Sequence, residues 1–295
     1  MILIATTECG LQETVFYETT LSLQIQSQAL KFLPLKEKVI SIHQISKLNL
    51  THLRSVVLNT KRQRVTTVTK DLIKEIKSEN LFINENFIMT CEKNTFQIEK
   101  LIRDKNICGL VNTNFYQTKS FHQMNLTSEA RLVQYTPNAG GSSEISEALS
   151  FEILKKFFNA KLLKTEMEIF YFPMGGSITD YVVKVFDTTI AVSVTRAMKH
   201  NDEEFTYENA DALLRKKLKG IVQSSKNSLL KWDKQVLHCW ANKENIVKLL
   251  NDVWSNLGDH LKTNTVLLIT LAHNSPEVFF NQQKKTKNKM TLCQG

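Results

Sequence analysis

Between residues 143 and 197 a helical period of apolar positions gives way to a run of strand periods. From 143 to about 158, Ile145, Ala148, Leu149 and Ile153 recur three and four apart, widened by Phe151, Leu154 and Phe158. That spacing predicts a helix with one buried stripe. Ser142 or Ser143 supplies its cap, and Glu144 in the first turn suits the helix dipole. Glu147 stands one and two turns before Phe151 and Leu154, so it projects from a partly buried face. Glu152 is spaced to pair with Lys155 or Lys156 on the surface. Three strands follow, over 161–172, 178–186 and 190–196, separated by Pro173-Met-Gly-Gly-Ser and Asp187-Thr-Thr turns. In the middle strand Ile178, Asp180, Val182, Lys184 and Phe186 share one face. In the third, Ala191, Ser193 and Thr195 share a face, and Arg196 points to the other.

The remainder alternates helix and strand. Thr206 caps a helix to about 225, with Ala210, Leu213, Leu214, Leu218, Ile221 and Val222 at helical spacing. A strand at 235–240, an amphipathic helix at 243–257 and a continuous apolar strand at 265–272 complete the series. The last has the composition of a strand covered on both faces. Upstream, 16–26 and 38–45 have strand character, KRQR at 61–64 is a basic cluster, and 71–78 has a short helical stripe. Apolar segments at 82–91 and 96–107 come next. Asn138-Ala-Gly-Gly-Ser-Ser is the strongest punctuation. The expected organisation is an α/β protein in three parts. A small α+β region, or an extension packed on the core, covers 1–125; a mixed sheet with flanking helices covers 126–280; a basic tail covers 281–295.

Composition narrows the class. No apolar run reaches the roughly 18 residues of a membrane helix, so no membrane partner is expected. Residues 1–7 are too short for a signal peptide. Five scattered cysteines, with no CxxC pair, predict reduced thiols and an intracellular location, nuclear or cytoplasmic. His238-Cys239 is the sole close metal-ligand pair, too little for a structural zinc. The net charge of +9 suits an acidic partner such as nucleic acid, and it equally fits a lysine-rich compositional bias. No P-loop, GxGxxG after a strand, GxSxG or nucleophilic Cys–His pairing is present.

The order from 143, helix, three-strand meander, helix, strand, helix, strand (αβββαβαβ), resembles the core of the PD-(D/E)XK, or restriction-endonuclease-like, nuclease superfamily over about half the chain. The resemblance implies Mg²⁺-dependent phosphodiester hydrolysis of nucleic acid, with an acidic residue opening the second strand, Glu-x-Lys on the third, and a glutamate on the preceding helix. Asp180 matches the first of these, and Glu147 or Glu144 the helix glutamate; Asp180, Glu147 and Glu144 are then the metal ligands. The third strand departs, because Ser193-Val194-Thr195 stands where Glu-x-Lys belongs. A hydroxyl is a poor substitute for a carboxylate on Mg²⁺, and neither hydroxyl replaces a cation. Lys184, on the face of Asp180, is the candidate catalytic lysine; Lys199 and Arg196 are lesser ones, and Glu166 or Glu168 can supply a carboxylate. The helix after the third strand carries Arg215, Lys216, Lys219 and Lys226, a face suited to a phosphate backbone or to solvent. No stretch interleaves aromatic and basic residues as a single-strand stacking platform does. Three functions stand open: an active nuclease, a lapsed relative that binds nucleic acid without cleaving it, and a non-catalytic interaction or scaffold protein. The last draws on Trp240 and Phe279–Phe280 as partner surfaces.

Overall fold

The computed structural model describes residues 80–137, 143–199 and 203–279, and before them the backbone of strands at 2–6, 12–16 and 38–41. Strands β1 (Ile2–Thr6) and β2 (Gln12–Phe16) pair antiparallel as a two-stranded sheet. The other strands are β3 (Lys38–Ser41), β4 (Asn80–Ile83), β5 (Phe87–Cys91), β6 (Gly109–Gln117), β7 (Lys161–Thr165), β8 (Tyr181–Val185), β9 (Thr188–Ala197), β10 (Lys234–Ala241) and β11 (Thr265–His273). They form one nine-stranded mixed sheet in the order β3-β4-β5-β6-β11-β10-β9-β8-β7. The centre, β6-β11-β10-β9, is parallel, and both wings are antiparallel.

Helices cover both faces, as a parallel centre requires. On one face α1 (Thr95–Arg103), α2 (Ser128–Tyr135) and α3 (Glu144–Phe158) close over Phe115, Val183, Val192 and Trp240. On the other, α4 (Tyr207–Asn227) and α5 (Glu244–Asn256) close over Leu237, Cys239, Leu267 and Ile269. All eight residues of β10 are buried, as are the first eight of β11, so the apolar 265–272 run sits at the doubly covered centre. Under α1 and α3 an apolar cavity of ≈ 40 Å³ remains, lined by Ile98, Ile102, Ile153, Val236 and their neighbours. That is far below the 300–1,000 Å³ of a ligand pocket and is a packing void.

Three expectations change. The first meander strand stops at Thr165 because Thr165 and Glu168 form a capping box that turns the chain into a 3-10 helix, Glu166–Glu168. Glu152 is wholly buried: its carboxylate accepts from the Thr127 N–H (3.0 Å) and hydroxyl (2.7 Å), and Lys156 stands 3.9 Å away. Within the N-terminal region β6 lies against β11 and carries β5, β4 and β3 outward, which is the extension alternative in place of a separate α+β unit, while β1 and β2 pair as a sheet of their own. KRQR, the 71–78 helix and the 281–295 tail lie outside the described residues. No helix among the described residues is long and apolar enough to cross a membrane.

Candidate functional site

The candidate site forms where β8 begins. Asp180 precedes the strand; its N–H still donates to Val192 O (3.1 Å), so its backbone stays in register with β9. Its side chain then takes the place of the next strand residue, Oδ2 accepting the Val194 N–H at 2.5 Å. Lys217, half-buried on α4, reaches the same residue, with Nζ 3.5 Å from Val194 O. A carboxyl and an amine side chain thus meet at Val194, the middle of Ser193-Val194-Thr195.

Glu147 approaches from the α3 side. It is 6% exposed, and the Ser143 hydroxyl donates to its carboxylate. Both Glu144 and Glu147 lie in the first turn of α3, where the helix dipole favours negative charge. Asp180 and Glu147 are close enough to repel. Desolvation raises the Asp180 pKa to about 8, Glu147 and then Glu166 pushing the same way, while the Val194 N–H and Lys217 pull it down. Glu166 itself is 9% exposed. Arg196 lies in the field of Glu147 and Glu144; burial lowers its pKa, the two glutamates oppose that, and its guanidinium donates to Phe279 O at 3.3 Å.

A buried polar chain fixes α3 against the sheet. Tyr181 Oη lies 2.6 Å from Ser150 Oγ, which lies 2.6 Å from His238 Nδ1. His238 Nε2 continues to Thr270 Oγ1 (2.8 Å), and Thr270 to Thr113 (2.8 Å). Burial drives the His238 pKa down to about 3, so its neutral ring both donates and accepts within the chain. Trp240 Nε1 donates to Ser146 O at 3.1 Å. These bonds seat the turn that carries Glu147 beside the strand that Asp180 opens.

The other candidates are placed elsewhere. Lys184 is exposed and ion-paired with Asp187 at 3.3 Å, and four strand residues, about 13 Å, separate it from Asp180. Sharing a face of the strand does not bring the two together. Lys199 pairs with Glu203 at 3.2 Å, and Glu168 accepts from the Thr165 N–H and hydroxyl. Ser193 is buried, 3.4 Å from Thr179 Oγ1, while Thr195 is half-buried. On α4, Lys216, Lys219 and Lys226 are exposed, and Arg215 is held by both oxygens of Asp211 at 2.8 Å. Burial pushes the Cys91 thiol up to about 11 and Cys239 to about 12, which removes both as nucleophiles.

Lys217 is the site residue that motif spacing along the strands does not reach. Its signal lies on α4: it falls one turn from Leu213, Leu214 and Ile221, on the edge of the stripe that the helix buries. A lysine at such a position has a partner inside or snorkels.

The donor set fits a hard divalent cation. Two mutually repelling carboxylates held in a desolvated site are relieved by a cation between them, and oxygen donors suit Mg²⁺. No group of three or more His, Cys, Asp or Glu among the described residues is arranged to hold a metal alone. Mg²⁺ asks for less than that, keeping several waters and using one or two carboxylates.

No protein-family model and no solved structure matches the chain. It is similar to the AAC-rich mRNA clone AAC4 protein of Dictyostelium discoideum, 35% identical over 195 residues. The match takes in 63% of this chain and 28% of that protein, so the chain spans well under a third of its relative's length.

Proposed function

We propose that the chain is a metal-dependent phosphodiesterase acting on nucleic acid, built on a restriction-endonuclease-like core. The carrying observation is the convergence on Val194: Asp180 on its N–H, Lys217 on its C=O, and Glu147 close enough to perturb Asp180. The order α3, the antiparallel β7-β8-β9, α4 and a parallel β10 supports the same reading. Asp180 and Glu147 would hold Mg²⁺, with Glu144 and Glu166 as the further carboxylates nearby. Bound there, the ion would acidify a water and offset charge on the phosphate. Lys217 stands where it can supply the positive charge that the third strand lacks, orienting the water or stabilising the transition state. The Val194 N–H holds Asp180 in one orientation. Lys216, Lys219 and Lys226 of α4 would take phosphates of the backbone.

The test is cleavage of labelled single- and double-stranded DNA and RNA by the full chain with Mg²⁺, Mn²⁺ or EDTA. Cleavage should need the metal and fall at least a hundredfold in Asp180→Asn, Glu147→Gln and Lys217→Met, while Lys184→Ala stays within twofold. Cleavage indifferent to Lys217→Met or Asp180→Asn overturns the assignment.

Ser193 and Thr195, in place of a carboxylate and a lysine, favour a second reading in which the site binds nucleic acid without cleaving it. The same experiment separates them, since a lapsed site gives salt-sensitive binding and no product with any metal. The scaffold reading drew on the first meander strand, Trp240 and Phe279–Phe280; Trp240 is 0% and Phe279 7% exposed, while Phe170 and Phe172 of 161–172 stay exposed.

A further inference from the structure

The long connection between β7 and β8 carries an exposed apolar run. Phe170, Phe172 and Met174 leave 73%, 76% and 92% of their surface in solvent, and Leu229 beside them 67%. Large apolar residues exposed together mark a binding surface. The segment is anchored: Phe172 N–H donates to Asn227 O (2.8 Å), Leu229 N–H to Phe170 O (2.9 Å) and Ser177 N–H to Gln223 Oε1 (3.0 Å). Tyr171, between the two phenylalanines, turns inward; it packs against the cluster of Ile169, Val182 and Ala191, and its Oη accepts the Thr179 N–H at 3.0 Å. Phe170 and Phe172 are therefore held outward by backbone bonds that their own rings do not make.

The helix that anchors them is basic on the same side. Lys216, Lys219, Gln223 and Lys226 succeed one another at helical spacing on one exposed stripe of α4, and Gln223 holds the Ser177 end of the segment. Glu168, the nearby acid, is turned to Thr165. At one end the segment starts from Glu166, and at the other it runs into Asp180.

We infer that this surface is a stacking platform for single-stranded nucleic acid, and that it delivers the strand to the Asp180 site. The inference deepens the proposed phosphodiesterase function and rests on it for the delivery. Aromatic faces beside a cationic track are the chemistry that a polyanion with exposed bases takes, and every base offers a π-face. The exposed rings favour a single strand, which can splay its bases onto Phe170 and Phe172, whereas a duplex keeps its base faces stacked inside.

Binding in EDTA, measured by fluorescence anisotropy of a fluorescein-labelled 20-nucleotide oligo-dT and a 20-base-pair duplex, tests the platform without any cleavage. Wild type should bind the single strand at least tenfold tighter than the duplex. Phe170→Ala/Phe172→Ala should lose at least tenfold on the single strand, stay within twofold on the duplex and keep its salt slope. Lys219→Ala/Lys226→Ala should reduce that slope by about 1.4, or ~0.7 for each phosphate left without its lysine. Both phenylalanines are exposed, so the double variant should melt within a few degrees of wild type. Single-strand affinity unchanged by the double alanine variant overturns the platform, as does absence of binding by wild type. Loss in that variant of binding to anionic phospholipid vesicles, with oligo-dT binding unaltered, reassigns the surface to lipid and overturns it too. Failure of cleavage with discriminating binding intact removes the catalytic function and leaves the platform standing.

Discussion

Without a divalent cation, the Asp180 carboxylate is a cost to the fold at neutral pH, and Asp180→Asn should expose that cost. Desolvation, with Glu147 and Glu166, raises its pKa to about 8 from the 3.8 of a free aspartate. The folded chain keeps a proton that the unfolded chain has released. Stability from this group is fully present below pH 3.8 and is lost as pH rises through about 8, at up to about 1.4 kcal/mol per pH unit. His238 acts in the opposite sense at the acid end. Its pKa falls from 6.5 to about 3, so the unfolded chain takes up a proton that the folded chain refuses. That contribution is present above pH 6.5 and is lost as pH falls toward about 3. The two slopes offset each other below pH 6.5, which leaves 6.5 to 8 as the window for Asp180.

Over that window of about 1.5 units wild type should lose about 2 kcal/mol, and Asp180→Asn should hold level. The asparagine oxygen still accepts the Val194 N–H, so the variant changes charge and little else. Urea denaturation by tryptophan fluorescence in EDTA, at half-unit steps, gives the two profiles. Mg²⁺ should then restore wild type at pH 8 by about 1.4 kcal/mol for each tenfold excess over its Kd and leave the variant where it was. Parallel profiles for the two proteins, or equal stabilisation by Mg²⁺, would refute the electrostatic account of the site.

The interior offers three more tests. Ser150→Ala strips the shared partner from Tyr181 Oη and His238 Nδ1, both 2.6 Å away in a buried site, and should cost about 2–5 kcal/mol in urea denaturation. A loss under about 1 kcal/mol would mean that the chain from β8 to β10 carries no stability. Lys234→Met removes an ammonium with no exposed surface that donates at 2.5 Å to both Asp104 O and Ile107 O; thermal melting should register a loss of about 2–4 kcal/mol. Val236→Ile places one methylene in the apolar cavity of ≈ 40 Å³ and should gain up to about 0.8 kcal/mol, whereas a loss above about 1 kcal/mol would show walls too rigid to accept it.

Hydrophobic period carried most of the fold. The helix that became α3, the β8–β9 pairing, Thr206 as the α4 cap and the covered β11 were all legible, because burial on one stripe, one face or both leaves a period in the sequence. Hydrogen bonds leave no such trace. Thr165 with Glu168 ends β7 early, and nothing in the alternation of 161–172 announces that capping box. Glu152 has the spacing of a surface ion pair, yet Thr127, 25 residues upstream, draws it inside. Phe170 and Phe172 stand 44 or more positions before the lysines of α4, so their juxtaposition exists only once Tyr171 bridges to Ser228.

The candidate site was half legible for the same reason. Asp180 and Glu147 are marked by position: one opens a strand, the other sits on the first turn of a helix whose stripe is visible. The cation proposed for it, Lys217, is not marked that way, because its requirement is a point in space and several elements reach that point. A lysine on β9 would arrive along the strand; Lys217 arrives from α4 and reaches the Val194 carbonyl. Lys184 satisfies the strand alternation and misses the site by about 13 Å of chain, because alternation sets the face and says nothing of the distance along it. A missing motif lysine therefore calls for a search of every helix packed on that strand. The position to look for is a lysine on the edge of a buried stripe, where its burial would otherwise have no purpose.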